Sequence, residues 1–118
     1  MAEPGINTAI PKVRYRYGEY VITFLGEIDS KDGNDYQFIA AVAREEDPKP
    51  GLFLTCEKLP PERREPGGGY LIRAMMKDGE QVLASSDQWK NFSQFETDVL
   101  DIIKQMLNLS DEQPFKLS

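Results

Sequence analysis

The feature that most constrains this chain is one amphipathic run, Ser85–Leu109, near its C-terminal end. Large apolar residues recur in it at spacings of three and four, which is the period of one helix face. They are Phe92, Phe95, Val99, Ile102, Met106 and Leu109, with Trp89 widening the stripe. No glycine or proline interrupts the run, so we predict one long helix. Ser85 followed by Gln88 is a capping-box pattern and predicts where the helix begins.

Upstream of this run the sequence is typical of β-strands. Segments rich in Tyr, Val, Ile, Thr and Phe alternate with segments of turn-forming residues. The predicted strands lie within residues 12–28, 36–44, 52–58, 69–76 and 80–85. The first of these is either one long bent strand or a hairpin broken at Gly18. The last two are joined by Lys77-Asp78-Gly79, a strong signal for a tight hairpin.

The order of these segments predicts the architecture. Consecutive strands joined by short turns favour an antiparallel meander. We therefore predict an α+β fold, in which an antiparallel β-meander of four to six strands packs on one long C-terminal helix. A pleckstrin-homology-like barrel with a C-terminal helix is the alternative. We expect a flexible N-terminal arm over residues 1–11, a single domain over 12–109 and a C-terminal tail over 110–118.

Length and composition narrow the class of protein. A chain of 118 residues is enough for one domain with a modest core. Its single cysteine, Cys56, excludes an intrachain disulfide. No apolar run approaches the length of a membrane span, and the N-terminal residues lack the basic and apolar regions of a secretory signal. We expect a cytoplasmic protein that does not associate with membranes.

The sequence offers little for catalysis or metal binding. It contains no histidine, which excludes Ser-His-Asp and Cys-His arrangements and makes a zinc site implausible. The turn that carries Asp29, Asp32 and Asp35 does not match the calcium-loop spacing and is typical of a hairpin turn. Three glutamates could meet across strands, although exposed strand faces commonly carry glutamate: Glu19, Glu27 and Glu57. We predict no enzyme activity, no cofactor and no metal.

One segment points towards a nucleic acid. The net charge of −6 disfavours a general electrostatic grip on nucleic acid, but the predicted strands at the start of the chain are not acidic. Strand alternation places Lys12, Arg14 and Arg16 on one face and Tyr15 and Tyr17 on the other. Tyrosine rings beside guanidinium groups are typical of platforms for single-stranded nucleic acid. The candidate residues are Lys12, Arg14, Tyr15, Arg16 and Tyr17, extended by Arg44 and Arg73 on neighbouring strands.

The same segment has a structural interpretation. Its tyrosines could belong to the core or to cross-strand pairs, and its bases could protect a sheet edge from aggregation.

The residues Ser86-Asp87-Gln88-Trp89 and the apolar stripe after them follow a run of strands. This arrangement resembles the whirly, transcriptional-coactivator-like single-stranded DNA-binding fold. Members of that family pack ββββα units and dimerise through the helix, so the resemblance implies a homodimer. The helix residues would then form the core or the dimer contact: Trp89, Phe92, Phe95, Val99, Ile102 and Met106. The acidic total and the missing basic loop differ from the DNA-binding members.

These observations predict a non-catalytic binding domain. The most specific form of this prediction is whirly-like binding of single-stranded nucleic acid or a role related to transcription. The alternative is a protein- or peptide-binding adaptor that uses the exposed sheet face or the 59–69 loop.

Overall fold

The computed structural model describes residues 3–63 and 67–117. Within these ranges the strands are β1 (Ile6–Tyr17), β2 (Tyr20–Ser30), β3 (Tyr36–Arg44), β4 (Asp47–Lys58), β5 (Tyr70–Met76), β6 (Gly79–Ser86) and β7 (Phe115–Lys116). One α-helix, α1 (Phe92–Met106), lies between β6 and β7 in sequence, and short 3₁₀ turns cover Pro61–Arg63 and Gln88–Lys90. The predicted α+β fold, with an antiparallel meander and a C-terminal helix, is confirmed.

The strands form one antiparallel sheet in the order β6-β5-β4-β3-β2-β1-β7. Each of the first six strands pairs with its sequence neighbour. Short turns join most of them, and the longer loop of residues 59–69 joins β4 to β5. Gly18 has a positive φ of 61° in the β1–β2 turn, so the first predicted segment is a hairpin broken at this glycine. Because β6 and β7 lie at opposite edges, the described strands form an open sheet and not a closed barrel.

The helix covers one side of the sheet, which we call the helix-facing side. Phe95 of α1 is fully buried there, with its ring centroid 6.1 Å from that of Phe24 and 5.4 Å from that of Phe38. Val99 and Ile103 follow it along the same helix face and are also fully buried. The strands contribute apolar residues at alternate positions, among them Val13, Ile22, Ala40, Leu54, Cys56, Ile72 and Ala74.

The other side of the sheet, the open face, has a smaller apolar cluster of its own. Tyr36, Ile39 and Met75 are buried there, although no helix in the described ranges packs on this side. The β1–β2 pairing contains three register shifts, and β-bulges bend the strands that carry them. The outer end of this hairpin places Ile6 and Ile28 against the cluster. The centre of the sheet is therefore buried on both sides.

Both chain ends are more ordered than the sequence predicts. Residues 6–11 belong to β1, so this part of the predicted flexible arm is wrong. The chain before them is held as well, because the amide of Gly5 donates to Asp32 Oδ2 at 2.8 Å. Pro11 fits because β1 lies next to the sheet edge and has a register shift directly after it. In the predicted tail, residues 115–116 form β7, while residues 1, 2 and 118 lie outside the described ranges.

The helix starts seven residues later than Ser85. Ser85 and Ser86 belong to β6, where they pair with Leu71 and Tyr70, so the predicted capping box does not form. The N-cap is Asn91, whose Oδ1 accepts a hydrogen bond from the amide of Gln94 at 3.3 Å. Ser85 and Ser86 therefore extend strand β6 and do not begin the helix, contrary to the prediction from the local capping pattern.

The packing of Phe95 predicts a large effect of truncation. Phe95→Ala leaves a cavity between α1 and the sheet, and we expect it to lower the free energy of unfolding by about 3–5 kcal/mol. Urea denaturation monitored by circular dichroism measures this change. The matched control is Met106→Ala on the same helix, where the side chain is 39% exposed and a loss of about 1 kcal/mol or less is expected. Equal losses would contradict the described packing.

Candidate binding surface on the outer strands

Strand β1 carries most of the predicted site residues. From Val13 to Tyr17 its register with β2 is regular, so Arg14 and Arg16 lie on the open face. Lys12 falls within the register shift between Pro11 and Val13, and its Nζ lies 5.0 Å from the ring centroid of Phe92 on the helix-facing side. The prediction that Lys12 shares a face with the two arginines is therefore wrong, because a β-bulge interrupts the alternation.

The two tyrosines of β1 face the helix. Tyr17 is only 3% exposed, and the ring of Tyr15 meets that of Phe24 edge-on with 6.0 Å between centroids. The Tyr15 hydroxyl donates to Glu96 Oε2 at 2.9 Å. Burial and this hydrogen bond raise the pKa of Tyr15 to about 12. The predicted stacking role of these rings does not fit this geometry, because α1 covers the side on which they lie.

Arg44 and Arg73 do not extend the predicted surface. Arg44 lies at the end of β3, where its Nη1 is 3.2 Å from Glu19 Oε1 and its guanidinium lies 5.7 Å from the ring centroid of Tyr20. Arg73 lies on β5, four strands from β1. Arg44 lies opposite Tyr20 and therefore on the helix-facing side, so neither arginine shares a surface with Arg14 and Arg16. The sequence alone does not reveal this register.

Arg73 belongs to a partly buried ion-pair network on the open face. Its Nε lies 2.8 Å from Glu57 Oε2, and its Nη1 lies 2.8 Å from Glu80 Oε1. Glu57 is 5% exposed and also accepts a hydrogen bond from Thr55 Oγ1 at 3.1 Å. The hydrogen bond to Glu57 raises the pKa of Arg73. Of the three glutamates considered in the sequence, Glu57 is thus engaged with Arg73, and Glu19 is engaged with Arg44.

The short strand β7 adds two residues that the sequence interpretation missed. Phe115 lies directly opposite Arg16 in the β1–β7 pairing, and the amide of Leu117 donates to the carbonyl of Arg14 at 2.8 Å. Directly opposite residues share a face, so Phe115 lies beside Arg16 on the open face. Its ring is 68% exposed and Leu117 is 42% exposed. The only sequence signal was Phe115 after Pro114 in a polar stretch, too short for a strand pattern.

We call these residues the β1–β7 surface: Arg14, Arg16, Phe115 and Leu117, with Lys12 and Lys116 at its rim. Strands β1 and β7 contain four bases and no acid. Arg16 Nη2 lies 3.0 Å from Glu45 Oε1, and both side chains are half-exposed. Such exposed ion pairs contribute about 0–1 kcal/mol, so an anionic ligand can replace Glu45 at little cost. This edge is locally basic on a protein of net charge −6.

The helix residues that were predicted for the core or a dimer contact pack mostly within the chain. Trp89, Phe95 and Val99 are buried, and Phe92 and Ile102 pack against the core. The Trp89 indole donates to Asp98 Oδ2 at 2.8 Å. Of the six residues assigned to the core or a dimer, Met106 alone is exposed. The six residues therefore leave little exposed apolar surface on α1 for a helix-mediated dimer, while the homodimer itself stays a prediction.

The 59–69 loop, expected as an adaptor surface, is described only in part. Residues 64–66 lie outside the described ranges. Before them, Leu59 is 8% exposed and Pro61–Arg63 form a 3₁₀ turn.

No family model, no curated protein and no solved structure matches this chain. The resemblance to the whirly-like fold therefore stays a prediction. In the parts of the chain that the structure describes, no helix is long and apolar enough to cross a membrane. The same parts bring no three His, Cys, Asp or Glu side chains together in a way that could hold a metal ion.

The environment of Tyr15 predicts a loss of stability at high pH. Its pKa is about 12 in the folded protein and about 10 in an unfolded chain. Between these values the unfolded chain has released the proton while the folded protein keeps it, so stability falls as pH rises. We expect Tyr15→Phe to make this fall shallower between pH 10 and 12, as measured by urea denaturation. Identical pH profiles for the two proteins would contradict the Tyr15–Glu96 contact.

Proposed function

We propose that this chain is a non-catalytic binding domain and that its β1–β7 surface binds single-stranded nucleic acid. The observation that carries the proposal is the exposed ring of Phe115, held directly opposite Arg16 on the open face. Bases stack on exposed aromatic rings, and nearby cationic groups contact the phosphates. Phe115 supplies an exposed ring on the open face, whereas Tyr15 and Tyr17 lie on the side of β1 that α1 covers.

The spacing on the surface suits an extended ligand. Residues two apart on one strand lie about 6.6 Å from each other on the same face. Arg14 and Arg16 are related in this way on β1, and Phe115 and Leu117 are related in this way along the chain beside them. A single strand that follows this edge therefore meets an apolar row and a guanidinium row side by side.

The acidic total does not oppose binding at this edge. The acidic excess lies in residues 29–48 and 91–118, which carry −4 and −3, whereas β1 has three bases and no acid. Charges separated by more than about 10 Å are largely screened at 0.1 M salt. More distant carboxylates therefore matter mainly at low ionic strength, whereas Glu45, which belongs to the first of these segments, lies 3.0 Å from Arg16 and competes directly with a phosphate there.

Fluorescence anisotropy with labelled oligothymidylate and oligouridylate tests this proposal directly. We expect binding that weakens between 50 and 200 mM salt, with a log–log slope of about −0.7 for each neutralised phosphate. The absence of binding to both oligonucleotides at 50 mM salt would reject the proposal. The predicted protein- or peptide-binding adaptor would then be the remaining interpretation of the open face.

Matched variants locate the site. Phe115→Ala removes one stacking partner and is expected to weaken binding by about 1–3 kcal/mol, whereas Phe115→Tyr keeps the ring and the affinity. Arg14→Gln should make the salt slope shallower by about 0.7. Lys31→Gln changes a base in the β2–β3 turn and serves as the control with unchanged binding. Full affinity in Phe115→Ala would place the site elsewhere.

A further inference from the structure

The two edges of the sheet are protected to different degrees. The β1 edge carries Pro11 and Lys12, its pairing with β2 has three register shifts, and β7 covers Tyr15 and Arg16. Proline, lysine, bulges and covering segments are the devices by which proteins keep an edge strand from pairing with another chain. The β1 edge therefore has several independent barriers to strand addition.

The β6 edge has few of these barriers. In the described ranges β6 is hydrogen-bonded in the sheet to β5 alone. Its eight residues include no proline and no base, and their pairing with β5 has one register shift. Glu80, its one charged residue, is paired with Arg73. The loop at Gly67 and Gly68 packs against Ser85 and Ser86. Among the described residues, no strand other than β5 pairs with residues 79–84, which form the open part of the edge.

We infer that β6 is the interface with a second copy of this chain, with the two β6 strands antiparallel around a two-fold axis near Val82. Val82 lies opposite Arg73 on the open face and is 48% exposed. In this register Val82 packs on its own copy, and Glu80, the one charged residue of β6, lies two residues along the strand from the axis and away from the partner subunit's Glu80. No like charges meet, so the strand is complementary to itself, as a two-fold interface requires.

This interface differs from the helix contact that the whirly-like resemblance implies. The axis runs perpendicular to the sheet, so both helices stay on one side and both open faces form one continuous surface on the other. Backbone pairing over residues 79–84 with few side-chain contacts is a small interface, and interfaces below about 1,200 Å² are typical of weak association. The dimer should therefore depend on concentration.

Analytical ultracentrifugation of the full chain over a wide concentration range tests the inference. We expect a monomer–dimer equilibrium. Val82→Lys places two ammonium groups opposite each other and should weaken the dimer at least about tenfold, since adjacent like charges on paired strands repel. Met106→Lys adds the same charge at the exposed position of α1 and should leave the equilibrium unchanged. A monomer at every concentration, or dissociation by Met106→Lys and not by Val82→Lys, would overturn the inference.

Cysteine cross-linking gives a second readout that does not depend on the charged variant. Cys56 is fully buried, and burial raises the pKa of its thiol to about 12, so it does not compete in mild oxidation. Val82→Cys should form disulfide-linked dimers, whereas Thr97→Cys on the exposed side of α1 should not. Equal cross-linking of the two variants would contradict pairing through β6.

Discussion

The structure depends on the packing of three phenylalanine rings between α1 and the centre of the sheet. Phe95 meets Phe24 of β2 and Phe38 of β3, so one helix residue fixes the helix across two adjacent strands. This contact determines which side of the meander is covered and, by exclusion, which side stays open. It also determines what the tyrosines of β1 do, because their side of that strand lies under the helix. The position of α1 on the sheet therefore decides which face is available to a ligand.

The β-bulge at Lys12 decides on which side of the sheet a single basic residue lies. Without it, Lys12, Arg14 and Arg16 would share the open face; with it, Lys12 lies over Phe92 on the helix-facing side. The basic residues therefore surround the edge of the sheet and do not form a row on one face. This arrangement favours a ligand that follows the edge, and β7 places its exposed apolar side chains at the same location.

The sequence contained enough information for the architecture and only part of the site. Apolar periodicity and turn residues predicted the meander and its C-terminal helix, since both signals are local. The helix start at Ser85 was wrong because pairing of Ser85 and Ser86 with β5 outweighs a local capping pattern. The positions of Lys12, Arg44 and Arg73 depend on register, which neither composition nor alternation reveals. Phe115 was missed as a surface residue because a two-residue strand has no periodicity to detect.

The shortness of β7 limits how tightly the β1–β7 surface can bind a ligand. Two register pairs and the bond from the Leu117 amide to the Arg14 carbonyl attach it to β1, whereas the central strands are buried on both sides. Elements with few buried contacts open locally at far lower free energy than the core. A ligand meets the complete surface only in the fraction of molecules in which β7 is docked, and its apparent dissociation constant rises as that fraction falls. Docking of β7 and ligand binding at the proposed surface are thus coupled equilibria, and each shifts the other.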